Sequence, residues 1–262
     1  MTYADYKSHK ITEGTKEWAD SNVNIYNGCS NNCRYCYAKK MAIRFKRKTH
    51  ETWKIMEPNM KKIEKGYAKR KGRVMFPSSH DITEEALDHC VIVLEKLLES
   101  ENEVLITTKP RLACIKTICA QFKDYKDLLQ FRFTITSMDN KKLSFWEPGA
   151  SDFQERLESL KYAYKHDFMT SVSIEPFLDK DPFPLVEKLL PYCTESIWIG
   201  KMNYIKATRI EAENRAEYKF VRDIVSKKNL KKIMSKFEEC NPEFVRIKDS
   251  NLNYLGFQLE EN

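Results

Sequence analysis

The stretch Asn27-Gly-Cys-Ser-Asn-Asn-Cys-Arg-Tyr-Cys-Tyr-Ala38 contains three cysteines, at positions 29, 33 and 36. Three thiolates at this C-x-x-x-C-x-x-C spacing can bind three irons of a four-iron cluster and leave the fourth iron without a protein ligand. An open metal position is typical of a catalytic centre, because a substrate or cofactor can bind there. The spacing therefore predicts that Cys29, Cys33 and Cys36 bind a 4Fe–4S cluster in an enzyme.

Two other interpretations of these cysteines remain open. They could form a zinc knuckle with a distant fourth ligand such as His80, or a disulfide with one spare thiol. Zinc sites usually combine two C-x-x-C or cysteine–histidine pairs. No such partner pair accompanies this loop, and the spacing therefore favours the open cluster.

Six short segments rich in β-branched and aromatic residues recur along the chain, and each predicts a buried strand. They span residues 23–26, 73–76, 104–108, 132–137, 169–174 and 196–202. Helical patterns lie between them, at 37–48, 52–71, 83–100, 111–122, 151–166 and 185–190. Alternating strands and helices imply parallel strands joined by right-handed crossovers. We therefore predict an α/β fold, a partial (β/α)6 TIM-like barrel that is open on one side, with the cysteine loop directly after strand one.

The chain becomes highly charged after residue 206, with helical patterns at 211–226 and 229–240. We predict a barrel over residues 1–206 and a charged helical C-terminal extension over residues 207–262. The extension would close the open side of the barrel, where a substrate would enter.

The charge of the chain is unevenly distributed. The net charge is +7, and residues 1–73 alone carry 18 Lys and Arg against 7 Asp and Glu. Most of these cations lie in residues 39–73, beside the cysteine loop, where they could neutralise the phosphates of a nucleotide or nucleic acid. A solvated helix face explains such a run equally well.

The sequence shows no sign of export or membrane insertion. The first ten residues are polar, and no apolar run approaches the ~20 residues of a membrane-spanning helix. The five remaining cysteines are scattered among apolar or helical neighbours, as is typical of buried thiols in a reducing compartment. We therefore predict a cytoplasmic protein.

Catalytic side chains in barrels of this kind gather where the strands end. Strand two ends in Phe76-Pro-Ser-Ser-His-Asp-Ile82. Ser78, His80 and Asp81 are therefore candidate catalytic residues that could position or protonate a substrate. A His-Asp pair before a helix is just as often an N-cap beside a solvated imidazole, and both interpretations remain open.

The cysteine loop and the strand ends resemble the radical S-adenosylmethionine (SAM) superfamily, in its spore photoproduct lyase-like branch. The resemblance covers about residues 20–205 and includes the run Trp146-Glu-Pro-Gly-Ala-Ser-Asp-Phe-Gln-Glu-Arg-Leu-Glu-Ser-Leu160. It implies that the open iron binds the amino and carboxylate groups of SAM. One electron, from a reductase or a flavodoxin-type donor, would then cleave SAM to methionine and a 5′-deoxyadenosyl radical that abstracts hydrogen from a substrate.

The resemblance also implies a set of cofactor-binding residues. Lys109 and Ser137, near the ends of strands three and four, would contact SAM. Glu175 and Asn203, near the ends of strands five and six, would assist them. Tyr35, just before the last cysteine of the loop, is a further cofactor-binding candidate from its residue type: it could shield the radical or stack a base, and a role as a core aromatic is equally credible.

One position departs from the pattern of the spore photoproduct lyases. Those enzymes carry a hydrogen-donating cysteine at the end of strand two, where this chain has Ser78. A serine O–H is a far poorer hydrogen-atom donor than a thiol, which argues against repair of a thymine dimer by that route. The substrate classes left open are a nucleotide or nucleic-acid base, and a peptide or small metabolite. The alternative from another class is a non-catalytic nucleic-acid-binding protein with a structural metal.

Overall fold

Short strands alternate with helices along the chain in the computed structural model, which describes residues 12, 14–203, 205, 212–239 and 243–256. The described strands are β1 (Ser21–Asn22), β2 (Tyr26–Asn27), β3 (Glu57–Pro58), β4 (Val74–Phe76), β5 (Val104–Thr108), β6 (Leu129–Thr134), β7 (Met169–Ile174), β8 (Ile197–Ile199) and β9 (Val245–Ile247). The described helices are α1 (Tyr37–Arg44), α2 (Met60–Glu64), α3 (Leu87–Glu99), α4 (Leu112–Gln121), α5 (Asn140–Trp146), α6 (Phe153–Lys165), α7 (Phe183–Leu189), α8 (Arg215–Ile224), α9 (Lys227–Glu239) and α10 (Asp249–Leu255). None of the described helices is long and apolar enough to cross a membrane.

Seven strands form one sheet in the spatial order β1-β4-β5-β6-β7-β8-β9. All of their pairings are parallel, and each strand pairs with the next strand of this sheet along the chain. This stepwise order is that of a TIM-like barrel, so the predicted α/β class and partial barrel are confirmed. The first strand lies earlier than predicted, because β1 ends at Asn22 and Tyr26 pairs antiparallel with Pro58 in a separate two-stranded sheet.

The helices cover the outer face of the sheet with apolar stripes. The buried side chains of α3, which recur every three or four residues, are Cys90, Val93, Leu94, Leu97 and Leu98. Such spacing places them on one face of a helix, where they pack on the sheet. Burial of each Leu or Val side chain contributes about 1.5–3 kcal/mol relative to exposure.

One helix prediction requires correction, and one helix was missed. The single helix predicted at 52–71 is wrong: a short 3-10 turn, β3 and α2 occupy this segment. Pro58 lacks a backbone N–H and cannot continue a helix, and the Asn59 side chain caps the new helix by accepting a hydrogen bond from Lys62 N at 3.1 Å. Helix α5, which was not predicted, begins after Asp139, whose carboxylate accepts a hydrogen bond from Lys141 N at 2.9 Å.

The C-terminal region adds a seventh strand to the sheet. β9 pairs with β8, with Val245 opposite Ile197. Along the chain, α8 and α9 precede β9 and α10 follows it. The boundary predicted between residues 206 and 207 lies outside the described residues, as do residues 211 and 240 of the two predicted helices.

Side chains near β1 and β9 connect the two edges of the sheet. Glu17 lies before β1 and Lys248 directly follows β9, and these side chains form an ion pair in which they are 5% and 3% exposed. Asp249 N donates a second hydrogen bond to Glu17 Oε1 at 2.9 Å. The gap between the two edge strands is therefore bridged by side chains rather than by backbone pairing.

The interior of the barrel is filled at the end where the strands begin. Trp18, Met75 and Leu105 pack together there, apart from the main core. The Arg132 guanidinium lies 4.9 Å from the ring centroid of Trp18 and 5.4 Å from that of Trp198. These side chains form a floor, so the open space of the barrel lies at the carboxyl ends of the strands.

Candidate cluster and cofactor site

The three cysteines of the 29–36 loop line one cavity of about 890 Å³ at the carboxyl ends of the strands. Cys29 and Cys33 are each 5% exposed, whereas Cys36 is half-buried. Cys36 also begins α1, and its sulfur accepts a hydrogen bond from Lys39 N at 3.4 Å. The loop and the start of α1 thus direct three thiols toward the same space.

The start of the cysteine loop is held against the segment that follows α1. Cys29 N donates a hydrogen bond to the Trp53 carbonyl at 3.0 Å. Gly28 has a φ of +118°, and a Cβ there would overlap the carbonyl oxygen of Ile55. Only glycine combines this backbone conformation with such a close approach.

The middle of the cysteine loop rests on the end of α5. Arg34 N donates a hydrogen bond to the Trp146 carbonyl at 2.8 Å. A Cβ at Gly149 would overlap the carbonyl oxygen of Ser30. The run that begins at Trp146, which contributed to the family resemblance, therefore forms the support of the cysteine loop.

Glu147 is a site residue that the sequence analysis missed. It is 1% exposed, accepts hydrogen bonds from the Tyr35 and Thr136 hydroxyls, and pairs with Arg156 at 2.5 Å between fully buried side chains. Burial acts to raise the pKa of Glu147, but the charges of Arg156 and Lys109 outweigh it and lower that pKa. Glu147 is therefore a buried carboxylate that fixes the orientation of Tyr35.

Asp81 joins the cysteine loop to the end of β5. Its carboxylate accepts hydrogen bonds from Asn31 Nδ2 at 2.8 Å, Lys109 N at 2.7 Å and Thr108 Oγ1 at 3.2 Å. Cys29 Sγ lies 3.7 Å from the same carboxylate. Burial acts to raise the pKa of Asp81, but Lys109 and these hydrogen bonds lower it. Asp81 is thus an ionised residue that positions the loop, and Thr83 rather than Asp81 stands at the N-cap of the helical turn that follows.

Lys109 lines the cavity as a buried cation, 9% exposed. Its ammonium lies 4.0 Å from Asp81 Oδ2 and 5.6 Å from the centroid of the Tyr35 ring. Burial acts to lower the pKa of Lys109, but negative charge on Cys33, Asp81 and Glu147 raises it above its usual value. The side chain therefore stays protonated beside the cysteines.

Both ring nitrogens of His80 are occupied by backbone groups. Nε2 accepts a hydrogen bond from Ile25 N at 3.3 Å, and Nδ1 lies 3.1 Å from the Asp81 carbonyl oxygen. Burial lowers the pKa of His80 to about 4, so the imidazole is neutral at pH 7. Although His80 lines the cavity, this geometry leaves it no free nitrogen for a substrate or a metal.

Ser78 lines the cavity and is held in place by Asn24. The Ser78 hydroxyl accepts a hydrogen bond from Asn24 Nδ2 at 2.9 Å, while Asn24 Oδ1 accepts from Ser78 N at 2.8 Å. The Tyr37 hydroxyl donates to the Ser78 carbonyl at 3.3 Å. Because the serine oxygen acts as acceptor toward Asn24, its own hydrogen is not used in that bond.

Glu175 and Asn203 lie in the cavity with two lysines. Lys248 Nζ is 3.8 Å from Glu175 Oε2, and Lys201 Nζ donates a hydrogen bond to Asn203 Oδ1 at 2.5 Å. Burial raises the pKa of Glu175 despite the two ammonium groups. A Cβ at Gly200 would lie 2.7 Å from Glu175 Cγ, so the glycine makes room for this carboxyl group.

The structure does not bring Ser137 to the cavity with the other candidates. Ser137 is fully buried, and its hydroxyl accepts a hydrogen bond from Asp139 N at 3.0 Å. The hydroxyl side chains that line the cavity from β5, β6 and β7 are Thr107, Thr134 and Ser173. In the sequence, these residues stand at the alternate strand positions that face the barrel interior, and this alternation is the signal that could have identified them.

The cysteine thiols suit a cluster by number and by chemistry. Burial raises the pKa of all three thiols, that of Cys33 to about 12, so metal binding would release their protons. Among the described residues, no three His, Cys, Asp or Glu side chains are arranged to hold one metal ion. A four-iron cluster takes each thiolate on a different iron, and three cysteines around one cavity fit this requirement.

Comparison with known proteins gives one family and several structures of similar fold. The model of the Radical SAM superfamily matches residues 23–180, which include all three cysteines. A spore photoproduct lyase variant with bound AdoMet and dinucleoside spore photoproduct has a TM-score of 0.53 and 15% identity, covering 92% of this chain and 79% of that one. A second variant of that lyase has a TM-score of 0.56 and 14% identity, covering 91% and 78%.

The similarity to other solved structures is weaker. Streptococcus suis SuiB bound to S-adenosylmethionine has a TM-score of 0.48 and 12% identity, and the match covers 87% of this chain but only 46% of SuiB. At these identities the similarity is one of fold. The comparison with curated protein sequences gives no match.

Proposed function

Because the chain belongs to the radical SAM superfamily, we propose that Cys29, Cys33 and Cys36 hold its 4Fe–4S cluster and leave one iron open to SAM. The cofactors of this enzyme are the cluster and SAM. Together they supply a 5′-deoxyadenosyl radical that abstracts hydrogen from a substrate. The observation that carries the proposal is that all three thiols line the cavity formed by the strand ends.

Lys109 has two tasks in this proposal. Its buried ammonium lies beside Cys33 and Asp81 and offsets the negative charge that three thiolates bring to the site. An ammonium group has three N–H donors, and the carboxylate of SAM is an acceptor for them. Asp81 acts through its bonds to the loop, so we assign it a positioning role.

The remaining polar side chains of the cavity surround SAM. Glu175 and Asn203 hydrogen-bond its amino and ribose groups, together with Thr134 and Ser173 from the neighbouring strands. Tyr35, held by Glu147, forms the wall beside the cluster and keeps water from the radical. Ser137 is left out of this set because its side chain lies outside the cavity.

The substrate we propose is a nucleotide or a nucleic-acid base. The cavity extends from the cysteines to a second region with Lys16, Lys201 and Lys248, beside the ring of Tyr254. Lysine ammonium groups suit phosphate, and a base can stack on an aromatic ring. Ser78 lines the same cavity in place of a thiol donor, so we expect chemistry other than thiol-dependent repair of a thymine dimer.

Anaerobic reconstitution with iron and sulfide tests the cluster and its chemistry. Reduction with dithionite in the presence of SAM should give 5′-deoxyadenosine. The Cys33→Ala variant should lose both this product and the visible absorption of the cluster. Cys119→Ala is the matched control, because Cys119 is a buried thiol of α4 that does not line the cavity, and it should keep both.

The opposite results would refute the proposal. Stoichiometric zinc in the anaerobically purified protein, with no 5′-deoxyadenosine after reconstitution, would favour a structural metal. An unchanged cluster in Cys33→Ala would show that this ligand assignment is wrong.

A further inference from the structure

The indole N–H of Trp53 has no hydrogen-bond partner among the described residues, although its nitrogen is shielded from solvent. The whole residue is 2% exposed, and it lines the cavity together with Cys29, Cys33 and Cys36. A buried N–H without an acceptor is costly, so such a group points to a partner that the polypeptide does not supply. Trp53 therefore presents a hydrogen-bond donor beside the three cysteines.

The side chains that pack with Trp53 narrow the choice of acceptor. Trp53 forms a small cluster with Cys29, Ala38 and Ala42, and Cys36 packs against this cluster at its edge. Alanine side chains carry no acceptor, whereas cysteine sulfur is one. A bound water needs several polar partners, which the two alanines do not provide. This environment therefore favours the sulfur atoms of the cysteine site as acceptors.

The backbone of Trp53 is fixed on both sides of its side chain. Its N–H donates a hydrogen bond to the Thr49 carbonyl at 3.2 Å, and its carbonyl accepts one from Cys29 N at 3.0 Å. Thr49 and Thr52 close this turn reciprocally, because Thr49 N donates to Thr52 Oγ1 at 2.9 Å and Thr52 N donates to Thr49 Oγ1 at 3.2 Å. The indole is thus held against the cysteine loop by the chain itself.

We propose that the Trp53 indole N–H donates a hydrogen bond to a sulfur atom of the cluster, or of the cysteines that hold it, and thereby makes the cluster easier to reduce. The inference rests on the proposed function, which assigns the cluster to Cys29, Cys33 and Cys36. Reduction adds negative charge to the cluster, and an N–H dipole directed at sulfur stabilises that charge. Hydrogen bonds to the sulfurs are among the features that set the potential of such clusters.

Two other tryptophans show what distinguishes Trp53. Trp18 also lines the cavity, and its buried indole nitrogen has no partner among the described residues, but Trp18 packs in the floor of the barrel and not with the cysteines. Trp198 donates its indole N–H to Ser196 Oγ at 2.9 Å. Of the tryptophans, Trp53 therefore combines an unpartnered donor with packing against cysteine sulfur.

Potentiometric titration of the reconstituted enzyme without SAM measures the effect directly. The EPR signal reports the reduced cluster while dithionite and mediators set the potential. Trp53→Phe keeps an aromatic ring but removes the N–H, and it should lower the equilibrium constant for one-electron reduction about tenfold, a shift of about 59 mV to more negative potential. Trp198→Phe is the matched control, because it removes an indole N–H that is bonded to Ser196, and it should leave the potential unchanged.

Isotope labelling tests the contact in the wild-type protein. With ¹⁵N-labelled tryptophan, pulsed EPR of the reduced cluster should show a coupling to an indole ¹⁵N nucleus. The coupling should be absent from Trp53→Phe and present in Trp198→Phe. The wild-type spectrum is informative even where Trp53→Phe does not retain its cluster, since it requires no substitution.

The opposite results separate this inference from the proposed function. An unchanged or more positive potential in Trp53→Phe would overturn the hydrogen bond, as would a wild-type spectrum without an indole coupling. An equal negative shift in Trp53→Phe and Trp198→Phe would also overturn it, because the loss of any buried indole would then explain the change. Failure of the wild type to form a four-iron cluster would refute the proposed function itself.

Discussion

Replacement of Glu147 by Gln should destabilise the protein far more than the same change at an exposed carboxylate. Glu147 and Arg156 form an ion pair in which both side chains are 0% exposed. Glutamine keeps the shape of Glu147 and its acceptor oxygen for Tyr35 and Thr136, but it leaves the buried charge of Arg156 without its counter-ion. Breaking a buried pair in this way costs about 3–5 kcal/mol of the free energy of unfolding.

The matched control is Glu158→Gln. Glu158 pairs with Lys161 at 2.9 Å, but these side chains are 42% and 35% exposed, and such surface pairs contribute little to stability. A second comparison, Glu147→Gln/Arg156→Met, removes both charges and should recover part of the loss, because no buried charge is then left unpaired.

Urea unfolding under anaerobic conditions measures both effects, and iron content measures the consequence for the cluster. Since Glu147 holds Tyr35 within the cysteine loop, the Glu147→Gln protein should also retain less iron after gel filtration than Glu158→Gln. A free energy of unfolding within about 1 kcal/mol of the wild-type value, with full iron retention, would refute this reasoning.

Three further changes test other parts of the site. Burial lowers the pKa of His80 from 6.5 to about 4, so the unfolded chain binds a proton that the folded chain does not. The part of the free energy of unfolding that depends on His80 should be fully present above pH 6.5 and should fall by up to about 3 kcal/mol toward pH 4. Unfolding curves of His80→Gln should lack this fall, whereas those of the exposed His50→Gln should keep it. Gly149→Ala would press a Cβ into the Ser30 and Asn31 backbone and should lower the free energy of unfolding by about 1–3 kcal/mol, with loss of iron. Gly66→Ala, whose Cβ meets nothing within 4 Å, should be neutral. Equal iron content in the two variants would contradict the support assigned to Gly149. A nucleoside monophosphate should stimulate 5′-deoxyadenosine formation more than its nucleoside does, and Lys201→Gln should abolish this difference. An unchanged ratio of the two rates would show that Lys201 is not part of the phosphate site.

The predicted family, enzyme class and cofactors are confirmed, and they came from local sequence. The spacing of Cys29, Cys33 and Cys36 is set within one loop, so the sequence displays it directly. The parallel barrel also followed from local patterns, because buried strands and amphipathic helices alternate along the chain.

The sequence was less informative where strand register or distant contacts decide the outcome. The predicted strand 132–137 is displaced by three residues from β6, and an odd shift exchanges the inward and outward faces of a strand. Ser137 entered the predicted site through the family resemblance, whereas the strand that the structure shows brings Thr134 to the cavity. Glu147 and the roles of Asp81 and His80 depend on partners brought together by the fold, which no local spacing reveals.

The ion pair of Glu17 with Lys248 has a consequence for biosynthesis. Both ends of the described chain contribute to one wall, since Gly14, Lys16 and Lys248 all line the cavity. A nascent polypeptide on the ribosome cannot complete this wall until β9 has emerged, although its three cysteines are made earlier. Iron and sulfur should therefore be loaded into a finished protein after translation, and a stalled ribosomal complex that lacks β9 should carry the thiols without a sheltered place for the cofactor.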